Sequence, residues 1–184
     1  SYGNEFVSTV QEYQLRFSPK ITIIRSTVPV GTSEKLFAVH SPCRGIHPNL
    51  KEGILTFVKY FGGEKAEEAA CYFNDCGIRT HTHPASRNTE AMKLWDTTIY
   101  GWNIILEKMI FAYCKENNLD FNLVYTKANE SYNEGYEKLG HAEYKKYILK
   151  HIDGKIGGHC VMNNLDLLES EISTIVKSYN SKLS

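Results

Sequence analysis

Phe6, Val10, Tyr13 and Phe17 recur at intervals of three and four, the period that lines apolar side chains along one face of a helix, and they predict a helix over residues 4–17. Pro19 cannot continue it. The β-branched run Ile21-Thr22-Ile23-Ile24 that follows, through Arg25 and Ser26, has the composition of a buried strand. Thr27 to Ser33 read as a turn, residues 33–37 as a short helix, residues 39–42 as a second strand and residues 43–50 as a loop. Residues 56–61 predict a third strand stopped by Gly62 and Gly63. Ala69, Ala70 and Phe73 mark a helix over 65–76 with Gly77 at its end, and residues 78–83 predict a fourth strand. Strand and helix alternate in this way through residue 83.

Beyond Pro84 the pattern changes. Met92, Trp95, Ile99, Trp102, Leu106, Met109 and Tyr113 repeat at three and four without interruption, which predicts one helix over 88–117 with a heptad-like apolar seam. A helix of about 30 residues is roughly 45 Å long. Either the C-terminal helices cover the seam or a second copy of the chain does, and its length favours a homodimer through helix 88–117. Shorter helices are expected over 121–132 and 143–149, with a loop around Gly135 and Gly140. Asn163 and Asn164 are placed to cap a last helix whose apolar face is Leu165, Leu168, Ile172, Ile175 and Tyr179. The expected fold is therefore α/β plus all-α: a partial Rossmann-like sheet of about four strands over residues 1–83, then a helical domain over 84–184 built on one long helix.

Composition narrows the function. The 184 residues carry 21 basic and 21 acidic side chains, a formal net charge of zero, which argues against nucleic acid or anionic membrane as partner. No apolar run approaches the roughly 20 residues that span a bilayer, and the first residues have no signal-peptide pattern, so a cytoplasmic protein is expected. The five cysteines are scattered and form no Cys-x-x-Cys pair, which fits reduced thiols. No Gly-x-Gly-x-x-Gly occurs, so the usual dinucleotide fingerprint is missing.

The stretch that stands out chemically is Lys155-Ile156-Gly157-Gly158-His159-Cys160-Val161. Paired glycines allow close approach of backbone to a ligand. A thiol at a helix entry beside a histidine has the setting of a nucleophile, against the plainer alternative of a glycine-rich loop with an incidental thiol. His81 and His83 share one face of a strand, as two metal ligands would, but no third ligand is identifiable and no metal is assigned. Arg44 and His47 lie in a loop where a guanidinium could hold a phosphate or sugar, or simply face solvent. Trp95 and Trp102 belong to the seam. Lys145 and Lys146 read as a solvated face.

Several segments together resemble the UDP-glucose/GDP-mannose dehydrogenase family. They are Arg25-Ser26-Thr27-Val28-Pro29-Val30-Gly31-Thr32, the Ser41-Pro42 strand end, Lys59-Tyr60-Phe61-Gly62-Gly63, Asn88-Thr89-Glu90-Ala91-Met92-Lys93-Leu94 and Ile156-Gly157-Gly158-His159-Cys160, in the family's order over residues 21–165. The resemblance implies the rear half of an NAD-binding domain joined to a helical middle domain whose long helix makes a dimer. The family reaction oxidises the C6 alcohol of a sugar nucleotide to a carboxylate with NAD, through a cysteine-bound thiohemiacetal and thioester. On that resemblance Cys160 is the nucleophile and Lys93 the oxyanion-stabilising lysine. Thr27 matches the family's threonine near the catalytic water; Ser26 and Thr27 are expected on the cofactor side and Gly157, Gly158 and, from its loop chemistry, Arg44 on the substrate side. The resemblance also exposes departures. Thr97 stands where the family has asparagine, Asn164 where it has an acid four residues beyond the cysteine, and Cys43 where it has glutamate after proline. Asn164 cannot be a general base, and the resemblance leaves half of the cofactor site unmatched, so no turnover is expected of the isolated chain; the alternative is a dimerisation or binding module that keeps the fold and has lost the site.

Overall fold

The computed structural model describes residues 2–45, 49–157 and 159–183. The chain divides into two compact units, one up to Asp96 and one from Thr97 onward. Among the described residues no helix is long and apolar enough to cross a membrane.

In the first unit, α1 (Tyr2–Phe17) turns Phe6, Val7 and Val10 onto a core of Ile24, Val28, Leu36 and Ala38. The Gln14 amide on the same helix donates to the Thr22 hydroxyl at 3.0 Å and the Leu36 carbonyl at 2.8 Å, which fixes the chain as it enters the sheet. Four strands follow in the order β1 (Ile23–Ile24), β2 (Val39–His40), β3 (Lys59–Gly62) and β4 (Thr80–His83). β1 and β2 are parallel, β2 and β3 antiparallel, β3 and β4 parallel, so the sheet is mixed. Between β1 and β2 lies the single-turn helix α2 (Thr32–Lys35). One layer of core comes from Val39 and Phe61 on the sheet and Ala66, Ala69 and Ala70 on α4 (Ala66–Asn74), with small alanines letting helix and sheet approach.

One element was not anticipated. Residues 50–56 form α3 (Leu50–Thr56), and the third strand is confined to Lys59–Gly62 instead of starting at residue 56. Gly53 hides this helix in the sequence, because a mid-helix glycine reads as a breaker. It is needed for packing: a Cβ there would sit 2.7 Å from the Gly45 Cα. Gly62 is constrained in the same way, since a Cβ would come 2.6 Å from the Thr89 hydroxyl and 2.9 Å from the Ala85 carbonyl. The start of α5 (Ser86–Glu116) thus lies directly on β3.

α5 is 31 residues long and continues into the second unit. There, Ile105 with Trp102 and Ile104 packs against Val161 and Leu165 of α7 (His159–Leu165) and Ile172, Val176 and Tyr179 of α8 (Glu171–Lys182). Gly101 makes the contact close: a Cβ would lie 2.8 Å from Val161 Cγ1. The face turned inward along α5 is Leu94, Thr98, Gly101, Ile105 and Lys108. The heptad seam lies beside it and is largely exposed, with Ile99 at 54% and Tyr113 at 59%.

The rest of the unit departs from expectation in three places. A π-helical segment (Asn122–Lys127) runs straight into α6 (Ala128–Lys138), so Gly135 is inside a helix and the chain turns only at Gly140, whose φ is 75°. No helix forms over 143–149, where a 3₁₀ turn (Ala142–Tyr144) leads into extended chain. Side chains take up the backbone groups that a helix would have paired. Asn133 accepts from the Lys146 N–H at 2.7 Å and donates to its carbonyl at 3.0 Å, and the Tyr125 hydroxyl accepts from the Leu149 N–H at 3.1 Å. Finally, the last helix is two helices, and its cap is Ser170, which accepts from the Ser173 N–H at 3.1 Å. Asn163 and Asn164 lie inside α7 and cap nothing.

The extended segment is also pinned by side-chain contacts. The His151 Nδ1 lies 2.6 Å from the buried Glu107 carboxylate of α5, its Nε2 lies 3.2 Å from Asp153, and its ring stacks on Phe111 at 3.5 Å. Next along the helix, the Lys108 ammonium donates to the Ile152 carbonyl.

Candidate functional site

In the first unit the turn after β1 carries Ser26, exposed, and Thr27, half-buried. Three groups hold it. Val28 plugs into the core. Gly31, at φ 90°, adopts the left-handed conformation that lets α2 begin at once. Glu90, fully buried on α5, reaches back so that one carboxylate oxygen accepts from the Gly31 N–H at 2.6 Å and the other from the Ser33 N–H at 2.8 Å. The carboxylate therefore occupies the amide-lined start of α2.

His40, at the end of β2, closes the other side. Its Nε2 lies 3.2 Å from the Ser26 carbonyl, which can only accept, so the proton sits on Nε2 and Nδ1 is left to accept from the Thr89 hydroxyl at 2.9 Å. Burial pushes the His40 pKa down to about 4, the Ser26 carbonyl offsetting only part of this. The sign of the consequence is fixed. Unfolded chain takes up a proton near pH 6.5 and folded chain only near 4, so the full stability holds above pH 6.5 and falls through that window by about 3 kcal/mol in all. Urea unfolding at stepped pH should show this loss flattening below about pH 4, and a His40→Asn variant should lack it.

Arg44 places its guanidinium over Tyr60 at 5.4 Å and Phe57 at 5.8 Å. Cys43 is exposed, with its sulfur 3.4 Å from an Arg25 nitrogen. His83 accepts from the Ala85 N–H at 3.0 Å and meets the Asn88 amide, while His81 packs on Tyr60. Among the described residues no group of three His, Cys, Asp or Glu could hold a metal.

In the second unit Cys160 is exposed in the first turn of α7. One turn later Asn164 is buried, and its amide donates to the Thr97 hydroxyl of α5 at 3.2 Å. Two of the three positions that depart from the resembled family, Asn164 and Thr97, are thus hydrogen-bonded to each other. Lys93 is half-buried on α5, one turn before Thr97. Gly157 is exposed just ahead of α7. Gly158, His47 and the His159 side chain lie outside the described residues.

Glu90, His40, Thr89 and Gly101 are positioning residues that the sequence reading passed over. Glu90 lay within the quoted Asn88–Leu94 segment, three residues before Lys93 and so on nearly the same helical face. A lone carboxylate opposite a Gly-Thr-Ser turn was the available signal.

No protein-family model matches the chain, and no curated protein matches it. Solved structures do. UDP-D-ManNAc dehydrogenase from Pyrococcus horikoshii aligns with TM-score 0.68 at 19% identity, over 88% of this chain and 42% of its own. The UDP-N-acetyl-mannosamine dehydrogenase Cap5O from S. aureus aligns with TM-score 0.65 at 20% identity, over 96% and 44%. NDP-N-acetyl-D-galactosaminuronic acid dehydrogenase from Methanosarcina mazei Go1 aligns with TM-score 0.65 at 16% identity, over 87% and 40%. At such identities the likeness is one of fold, and the chain spans about two fifths of the length of these proteins. The fold of this chain, a mixed four-stranded sheet continued by one long helix into a helical unit, is therefore a fold found within nucleotide-sugar dehydrogenases.

Proposed function

We propose that this chain is the cysteine-bearing portion of a nucleotide-sugar dehydrogenase, a cytoplasmic protein that binds a sugar nucleotide and pairs through α5. The observation that carries this reading is the Asn164–Thr97 hydrogen bond, which ties the helix of Cys160 to α5 through the very positions where the sequence departs from the family.

Cys160 supplies the one covalent step the chain's own residues support. Its sulfur adds to the carbonyl carbon of an aldehyde-level sugar, the C=O π pair moves to oxygen, and the thiol proton ends there, giving a thiohemiacetal. Lys93 is assigned to that oxygen as the developing charge is stabilised. Asn164 has no basic lone pair to activate water, and Thr97 offers only a hydroxyl. The addition is thus reversible and stops there.

In the intact family protein NAD would supply hydride acceptance. The described residues do not fit a whole dinucleotide: the sequence has no glycine-rich phosphate turn, and the amides at the start of α2 are already taken by Glu90. Ser26 and Thr27 are left as contacts for one end of a cofactor, and no turnover is expected of the chain alone.

The exposed seam of α5 supports a homodimer. Trp95, Ile99, Leu106, Met109 and Tyr113 form an apolar stripe on a single helix, which water penalises unless it is covered. Ile99→Glu should weaken dimerisation about 100-fold, roughly 3 kcal/mol, by placing a charge in that seam. Light scattering of native and variant protein over a dilution series would read it.

Calorimetric titration with UDP-glucose tests the functional reading, and saturable heat is expected.

A further inference from the structure

Lys59 is 3% exposed at the start of β3, yet among the described residues no carboxylate or carbonyl pairs with its ammonium. The groups that act on it are Arg25, Arg44 and the Cys43 thiol. Burial and both guanidinium groups hold its pKa below the usual lysine value.

The geometry brings these residues to one place. Cys43 lies three residues beyond His40 of β2, and Lys59 three residues before Gly62, the β-bridge partner of His40. The Cys43 N–H donates to the Arg25 carbonyl at 3.4 Å, and an Arg25 nitrogen reaches the Cys43 sulfur at 3.4 Å. Among the described residues the buried Arg25 Nε has no hydrogen-bond partner. Arg44 rests on Phe57 and Tyr60, the residues on either side of Val58-Lys59.

Three cations with no acid among them repel one another, and the buried Arg25 Nε left without a partner is costly. A protein keeps such a group where an outside anion completes it. Two guanidinium forks match the oxygens of a tetrahedral oxyanion, and three positive charges suit a phosphoryl dianion better than a single carboxylate. The position also suits a ligand, since the carboxyl ends of β1 and β2 open there and open α/β sheets bind at that edge.

We propose that Arg25, Arg44 and Lys59 form a binding site for a phosphoryl group, with the Cys43 thiol at its rim. The site does not rest on the dehydrogenase reading, because no residue assigned to aldehyde addition contributes to it. Its ligand is either free phosphate or the diphosphate of a nucleotide.

Cys43 is a built-in reporter. In native protein its carboxymethylation by the anion iodoacetate, divided by its alkylation by neutral iodoacetamide, should be about 10-fold higher than the same ratio at Cys76, an exposed thiol elsewhere in the unit. Lys59→Met should bring the ratio down towards that of Cys76, and Arg44→Gln, at a less buried position, provides a second variant. At constant ionic strength, protection of Cys43 by millimolar inorganic phosphate would identify free phosphate as ligand. Protection by UDP alone would identify a nucleotide diphosphate. Equal ratios at Cys43 and Cys76, or no protection by either probe, would overturn the site.

Discussion

Glu90→Ala is expected to destabilise the first unit by about 3 kcal/mol, because it strands two backbone donors at once. The Gly31 and Ser33 N–H groups sit at the amide end of α2, and Glu90 supplies both acceptors from a fully buried position. Water cannot replace it without opening the packing of α5 on β3, where Gly62 already meets Thr89 and Ala85. Glu90→Gln keeps the shape but offers one carbonyl oxygen and turns an NH₂ towards the other donor, so it should lose about half as much. Urea denaturation of the three proteins gives the order directly. The loss should also appear locally, as faster amide hydrogen exchange over Ser26 to Ser33, since the turn bearing Ser26 and Thr27 is what Glu90 holds.

The second large effect is expected at His151. Glu107 is 2% exposed, and His151 is its hydrogen-bond partner. His151→Ala would leave the Glu107 carboxylate buried without a hydrogen-bond partner among the described residues, a loss of about 3–5 kcal/mol, and would remove the ring stacked on Phe111. The double variant Glu107→Gln/His151→Ala should recover part of this, because a neutral amide is cheaper to bury than a charge. A double-mutant cycle by denaturant unfolding measures that recovery. Additive losses would mean that the pair does not hold the 145–157 segment onto α5.

Both positions show what the sequence could and could not convey. α1, α4, α5 and the presence of four strands were legible because each has a period or a composition that local physics fixes, whereas the strand order and the antiparallel β2–β3 pairing were not. The seam of α5 was legible as a stripe left for a second copy of the chain, but the stripe that packs within the chain was not. The buried stripe contains Thr98, Gly101 and Lys108, which hydropathy ranks below Ile99 and Leu106. Small residues win there because Gly101 must admit Val161. α3 was missed for a like reason, a glycine present for packing. The absent helix over 143–149 reflects acceptors and donors contributed by Asn133 and Tyr125 from earlier in the chain, which no window of local sequence contains.

The candidate site was legible residue by residue but not as an arrangement. Cys160, Lys93, Thr97 and Asn164 were all singled out, yet the pairing of Thr97 with Asn164 needed coordinates. It changes how the departures read. Set beside the resembled family, each alone stands where an amide or an acid would. Together they form a neutral hydrogen bond that keeps α7 on α5 and leaves Cys160 exposed in its first turn. On the function proposed above, such a site would hold a substrate without the groups to finish its oxidation.

Calorimetric titration of the full chain with UDP-glucose, followed by NAD, tests this account most directly, with Cys160→Ala as control. Saturable heat with the nucleotide sugar, retained in Cys160→Ala and accompanied by none with NAD, is the predicted result. A folded protein giving no heat with UDP-glucose would contradict the claim that this chain binds a nucleotide sugar.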